Sequence, residues 1–202
     1  MINPKSFFKS IPTEVKRFLG KALLFFIVWK VVYNIFLYDS KYLDHPLTTH
    51  VGNASAWLIN QLGDMEGFTA KREVVKHYFE GGVNLNESSA IYHHDRIVLY
   101  IANVCNGLEL IVLYIGFIVC MPASFLRKLK YIVIGVIILD LTNILRCTGL
   151  IYLREYYEIY FDFAHHYLFN TVVYTATFIM WYVFSRKITL KTKHIEKTVQ
   201  AG

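Results

Sequence analysis

Between positions 97 and 121 the chain reads IVLYIANVCNGLELIVLYIGFIVCM, twenty-five residues with Glu109 as the one side chain that carries a formal charge at neutral pH. A helix crossing a hydrocarbon layer about 30 Å thick needs about 20 mostly apolar residues, and in lipid the backbone must satisfy its own hydrogen bonds, which favours helices. Three more runs of this kind cover about 19–38, 131–152 and 166–184. They predict an all-α membrane protein, a bundle of about four transmembrane helices forming one integral-membrane domain over 1–202. The first run is too long for a signal peptide and lacks a small-residue cleavage site after it, so it is expected to remain as an anchor. With 55% hydrophobic and 16% aromatic residues, the chain is too apolar for an ordinary soluble domain.

The net charge of +6 would suit a nucleic-acid binder, but the basic residues sit in short clusters beside the apolar runs. The expected partner is the lipid bilayer, not nucleic acid. Basic flanks are retained on the cytoplasmic side. Lys5, Lys9, Lys16, Arg17 and Lys21 precede or open the first run, Arg127, Lys128 and Lys130 follow the second, and Arg186, Lys187, Lys191, Lys193 and Lys197 follow the fourth. Both termini are therefore expected in the cytoplasm. The 39–96 segment, with five Lys or Arg in 58 residues, and the acidic 151–165 connection should face outward. Within 39–96, positions 53–62 (NASAWLINQL) suit a short amphipathic helix, either lying in the interface or capping the bundle. Positions 71–79 suit a strand or a short helix, and Gly81-Gly82 with the following Asn and Ser residues reads as a turn.

Lys30, Glu109, Asp140 and Arg146 are ionisable residues at membrane depth, where such side chains form buried pairs or mark a functional site. Glu109 is placed to pair with Arg146 or Lys30, and Asp140 with Lys30. In the four-span topology Cys105 lies eight residues into the second span and Arg146 six before the end of the third, each roughly 10 Å below the outer boundary. His165 and His166 open the fourth span at that same face. A lone membrane Cys is ordinarily a packing residue, a His at a helix end an interfacial one, and an Arg near a helix end can snorkel. Here all three types share one layer. Asn143 precedes Arg146 by three residues and Glu109 follows Cys105 by four, spacings that put each pair on one helix face. Gly107 leaves room beside the thiol for a substrate backbone or for close helix packing.

Cys105-Asn106-Gly107, Asn143-x-x-Arg146 and His166-x-x-x-Asn170 follow one another in successive runs. This ordered set, over about 90–185, resembles the exosortase/archaeosortase family. The resemblance implies a membrane cysteine protease or transpeptidase of the cell inner membrane. Its partners would be membrane-anchored substrate proteins ending in a short motif, an apolar helix and a basic tail, cut before that helix at the outer face and transferred to an acceptor. Cys105 would be the nucleophile, His166 the proton carrier and Arg146 the stabiliser of thiolate or oxyanion, with His165, Asn143, Gly107 and Glu109 in support. Family members often carry Gly where Asn170 stands, and many have more spans. The His166 register keeps the four-residue spacing, while His165 is the adjacent alternative.

Other readings make different demands. A non-enzymatic membrane assembly or scaffold protein would tolerate loss of Cys105. A haem or metal protein would use His93-His94 and His165-His166, but adjacent histidines point to different helix faces, and no i, i+4 pair of histidines occurs. No metal or other cofactor is expected. Cys105, Cys120 and Cys147 form no CxxC pair, which disfavours both a disulfide framework and a disulfide-exchanging oxidoreductase.

Overall fold

The computed structural model describes residues 13–38, 42–63, 65–79 and 82–200. Lys5, Lys9 and Gly81 from the expectations above lie outside the described residues. Helix α1 (Thr13–Val32) continues into a π-turn (Tyr33–Leu37), followed by α2 (Asp44–Asn60). Three strands come next, β1 (Phe68–Phe79), β2 (Gly82–His93) and β3 (Arg96–Ile101), then a 3-10 turn (Asn103–Cys105). The rest is α3 (Leu108–Cys120), α4 (Phe125–Tyr156), α5 (Glu158–Phe163), a second π-turn (Ala164–Leu168) and α6 (Phe169–Gln200).

The chain is mostly helical, and among the described residues three stretches are long and apolar enough to cross a membrane: Val15–Leu37, Phe125–Tyr156 and Glu158–Arg186. The 97–121 run is corrected. Its first part is an edge strand, its middle a 3-10 turn, and only thirteen residues form α3, about 20 Å of helix. A short apolar run does not by itself distinguish a strand from a helix. Here β-branched Ile97, Val98 and Ile101 favour the strand, β2 supplies the partner, and Gly107 at φ 82° breaks any continuous helix before Leu108.

The all-α expectation is corrected in the same region by an antiparallel sheet in the order β1-β2-β3. β1 pairs with β2 from Phe68↔His93 to Phe79↔Gly82, and a bulge at Ile91/Tyr92 shifts the register against β3. Helix α2 lies against this sheet. Its buried residues Asp44, Thr48, Val51, Gly52, Ser55, Ala56 and Ile59 recur at helical spacing, so the segment caps the bundle. A Cβ on Gly52 would collide with Ser89 of β2, which explains how closely the helix approaches. Asn60 clamps the far end, accepting from the Phe68 N–H at 3.0 Å and donating to its carbonyl at 2.8 Å.

Two cores result. Val51, Ile59, Phe68, Ile91, Ile101, Cys147 and Ile151 join α2, the sheet and the last turns of α4. Tyr114, Ile118, Leu139 and Phe184 join α3, α4 and α6. Tyr114 lies over Gly135 and donates to the Tyr131 carbonyl at 2.8 Å. On α4, Leu126, Leu129, Val133, Ile137, Leu141 and Leu145 are exposed, whereas Cys147, Thr148, Leu150 and Ile151 are buried. This apolar stripe suits lipid, and it stops where the cap begins. At the opposite end Phe18 meets Phe117 edge to face, and Arg127 donates to the Phe184 carbonyl at 2.7 Å. The start of α1, the end of α3, the start of α4 and the Phe184 level of α6 therefore share one end of the bundle.

Candidate active site

The site forms where cap and bundle meet. Cys105 is half-buried at the end of the 3-10 turn, its N–H donating to the Ala102 carbonyl at 2.9 Å. The left-handed Gly107 turns the chain from this loop into α3, a conformation open to glycine because it has no Cβ. Asn106 is 2% exposed and caps the new helix, accepting the Leu108 N–H on Oδ1 at 2.9 Å. Helix α4 reaches across from the other side. Asn143 donates from Nδ2 to the Cys105 carbonyl at 3.1 Å, and a Cβ on Gly107 would lie 3.2 Å from that same nitrogen.

One helical turn beyond Asn143, Arg146 is half-buried, and its Nε is buried with no hydrogen-bond partner. The guanidinium lies within electrostatic reach of His165, whose Nδ1 is also buried without a partner. His165 is half-buried and stacks on Phe161, ring centroids 5.7 Å apart. His166 is exposed, and its carbonyl accepts from Asn170 at 3.1 Å. Each of these two side chains thus buries a nitrogen that no protein group satisfies. Such atoms are costly to bury unless something occupies them.

A cavity of about 430 Å³ opens beside these residues, between α1, α3, α4 and α6. Gly107, Asn143, Arg146 and Asn170 line it together with Phe25, Trp29 and other apolar side chains. Lys30 and Glu109 form an ion pair at 2.5 Å on its wall, which resolves the two pairings open to Glu109 in favour of Lys30. Asp140 pairs instead with His50 of α2 at 3.0 Å, a partner that only the fold supplies.

Cys120 lies at the distant end of α3. Cys147 is buried in the cap core, against which Cys105 also packs. His93 Nδ1 meets Glu155 at 2.9 Å, and Arg96 holds the same carboxylate at 2.5 Å. Among the described residues no group of three His, Cys, Asp or Glu is arranged to hold a metal ion.

The sequence reading missed the polar cradle behind Cys105. Asn106 donates from Nδ2 to Asp44 Oδ1 at 3.1 Å and to Thr48 Oγ1 at 3.3 Å, Thr48 donates to Asn103 Oδ1 at 2.7 Å, and Tyr33 donates to Asp44 Oδ2 at 3.0 Å. Asp44-His45-Pro46, with Pro in a first helical turn and an acidic residue before it, was the available signal for where α2 starts.

The fold and the site define an integral-membrane protein with a polar centre held between an apolar helix bundle and a mixed helix-and-sheet cap. The sequence model of the transmembrane exosortases matches residues 12–183, and the chain belongs to that family. The match extends beyond the motif-bearing 90–185 region to take in α1, α2 and the whole sheet. Neither the curated proteins nor the solved structures gave a match to this chain.

Proposed function

We propose that this exosortase-family chain is a cysteine transpeptidase that cleaves the C-terminal sorting signals of exported proteins and passes the new carboxyl end to an acceptor. The observation that carries the reading is the joining of the Cys105 turn to α4 through Asn143, one helical turn from Arg146 and its neighbour His165. Family membership supports it.

In this mechanism the Cys105 sulfur attacks the scissile carbonyl while histidine accepts the thiol proton. Of the two histidines, half-burial favours His165 for this role over the exposed His166. Arg146 stabilises the oxyanion, a fixed charge in a region of little water where it counts most. The carbon–nitrogen bond breaks, the departing amine takes the proton from histidine, and a thioester remains on Cys105. The acceptor nucleophile then attacks the thioester and frees the thiol.

The cavity between α1, α3, α4 and α6 gives a membrane-anchored substrate an apolar approach to this centre. Lys16, Arg17, Arg127 and Lys128 gather at the opposite end of the bundle, and by the charge rule that end is cytoplasmic. The site then lies at the extracytoplasmic face of the cell membrane, with both termini inside.

The test is to express wild type beside Cys105→Ala, together with a protein from the same genome that ends in a motif, an apolar helix and basic residues. Substrate size is compared by immunoblot. Processing by wild type and its loss in Cys105→Ala is the expected result. Equal processing by both would overturn the mechanism and leave an assembly protein as the reading.

A further inference from the structure

Asp44 is fully buried, at 0% exposure, and is not among the residues lining the cavity. A carboxylate is expensive to bury unless its oxygens are hydrogen-bonded. Here Tyr33 serves Oδ2 and Asn106 serves Oδ1, and Asp44 occupies the first turn of α2, where the helix dipole favours negative charge. From its place at the start of α2, this one side chain joins the end of the α1 helical stretch and the loop before α3.

The amide of Asn106 has one workable orientation in this cradle. Its Oδ1 accepts the Leu108 N–H, so Nδ2 must face Asp44 and Thr48. Asn106 follows Cys105 directly, and the Cys105 carbonyl is held from the other side by Asn143. The turn is therefore fixed between two anchors, one from the cap and one from the bundle. We propose that Asp44 is a positioning residue, which holds the Cys105 turn in place through Asn106.

This inference rests on Cys105 being the reacting thiol, and its test reads the turn with and without that assumption. The detergent-purified full chain is treated with iodoacetamide, and alkylation of each cysteine is followed by peptide mass spectrometry in wild type, Asp44→Ala and Asp44→Asn. Loss of the anchor loosens the turn, so Cys105 alkylation in Asp44→Ala is expected to rise about fivefold or more. Cys120, at the other end of α3, should stay within about twofold of wild type, and the buried Cys147 should stay unreactive. Processing of the co-expressed tailed protein should fall by about tenfold or more, since small displacements of a reacting group cost that much. Asp44→Asn keeps the shape of the side chain and should fall between the two, and it decides the matter if Asp44→Ala does not fold.

Cys105 alkylation within about twofold of wild type in the folded variants, or Cys147 becoming reactive together with Cys105, would overturn the proposal. The latter result would make Asp44 a general stabiliser. Raised Cys105 alkylation in a protein whose Cys105→Ala form still processes substrate would sink the transpeptidase reading while leaving the positioning role intact.

Discussion

Asn143, within the 32-residue helix α4, donates from Nδ2 to the carbonyl oxygen of Cys105 across 3.1 Å. One helix thereby sets both the position of the cysteine turn and, three residues on, the guanidinium of Arg146.

Asn143→Ala is expected to lower processing by about tenfold or more through a misplaced Cys105. Asn143→Asp should do the same, because an ionised carboxylate cannot donate to a carbonyl. Immunoblot of substrate size against equal enzyme levels checks both, and activity within about twofold of wild type would show that the bond does not matter.

His165→Ala should abolish processing, whereas His166→Ala should retain most of it, since His165 is half-buried beside Arg146 and His166 is exposed. The reverse result would assign the proton carrier to the residue that keeps the four-residue spacing to Asn170.

Gly107→Ala forces a Cβ into the left-handed region at φ 82° and against Asn143, 3.2 Å away. The expected cost is about 1–2 kcal/mol of backbone strain, read as a lower thermal unfolding midpoint of the purified protein. Processing should fall as well, because the Asn143 contact to Cys105 is displaced. An unchanged midpoint would mean that the turn relaxes without cost.

Lys30 and Glu109 pair on the cavity wall. Lys30→Met leaves the Glu109 carboxylate without its cation, and Glu109→Leu leaves the Lys30 ammonium without its anion. Each is expected to destabilise by about 1 kcal/mol, and Lys30→Met combined with Glu109→Leu should recover most of that loss. Thermal unfolding of the four forms as a double-mutant cycle measures the coupling. Strict additivity would show that the two charges act independently.

Much of the candidate site was legible because the chemistry-bearing residues stand in an apolar background. Arg146 and Glu109 are conspicuous where few ionisable residues occur, and the order of Cys105, Asn143-x-x-Arg146 and the tandem histidines carried the family resemblance that the match over residues 12–183 established. Asp44, Thr48 and Tyr33 were not legible. They are ordinary polar residues in a segment of mixed composition, and they matter only because the folded chain brings them against Asn106.

The sequence by itself determined that this chain belongs in a membrane, three of the stretches that are apolar enough to span it, and which motifs it carries, since hydropathy and residue order are local properties. Tertiary structure decided that 96–101 is a strand, that Cys105 sits on a 3-10 turn outside any long helix, that Asp140 meets His50, and that His165 turns inward while His166 turns out. Each of these depends on a partner far away in the chain. A strand needs a neighbour to take its hydrogen bonds, an ion pair needs both of its members, and a side chain faces inward only relative to what is packed against it.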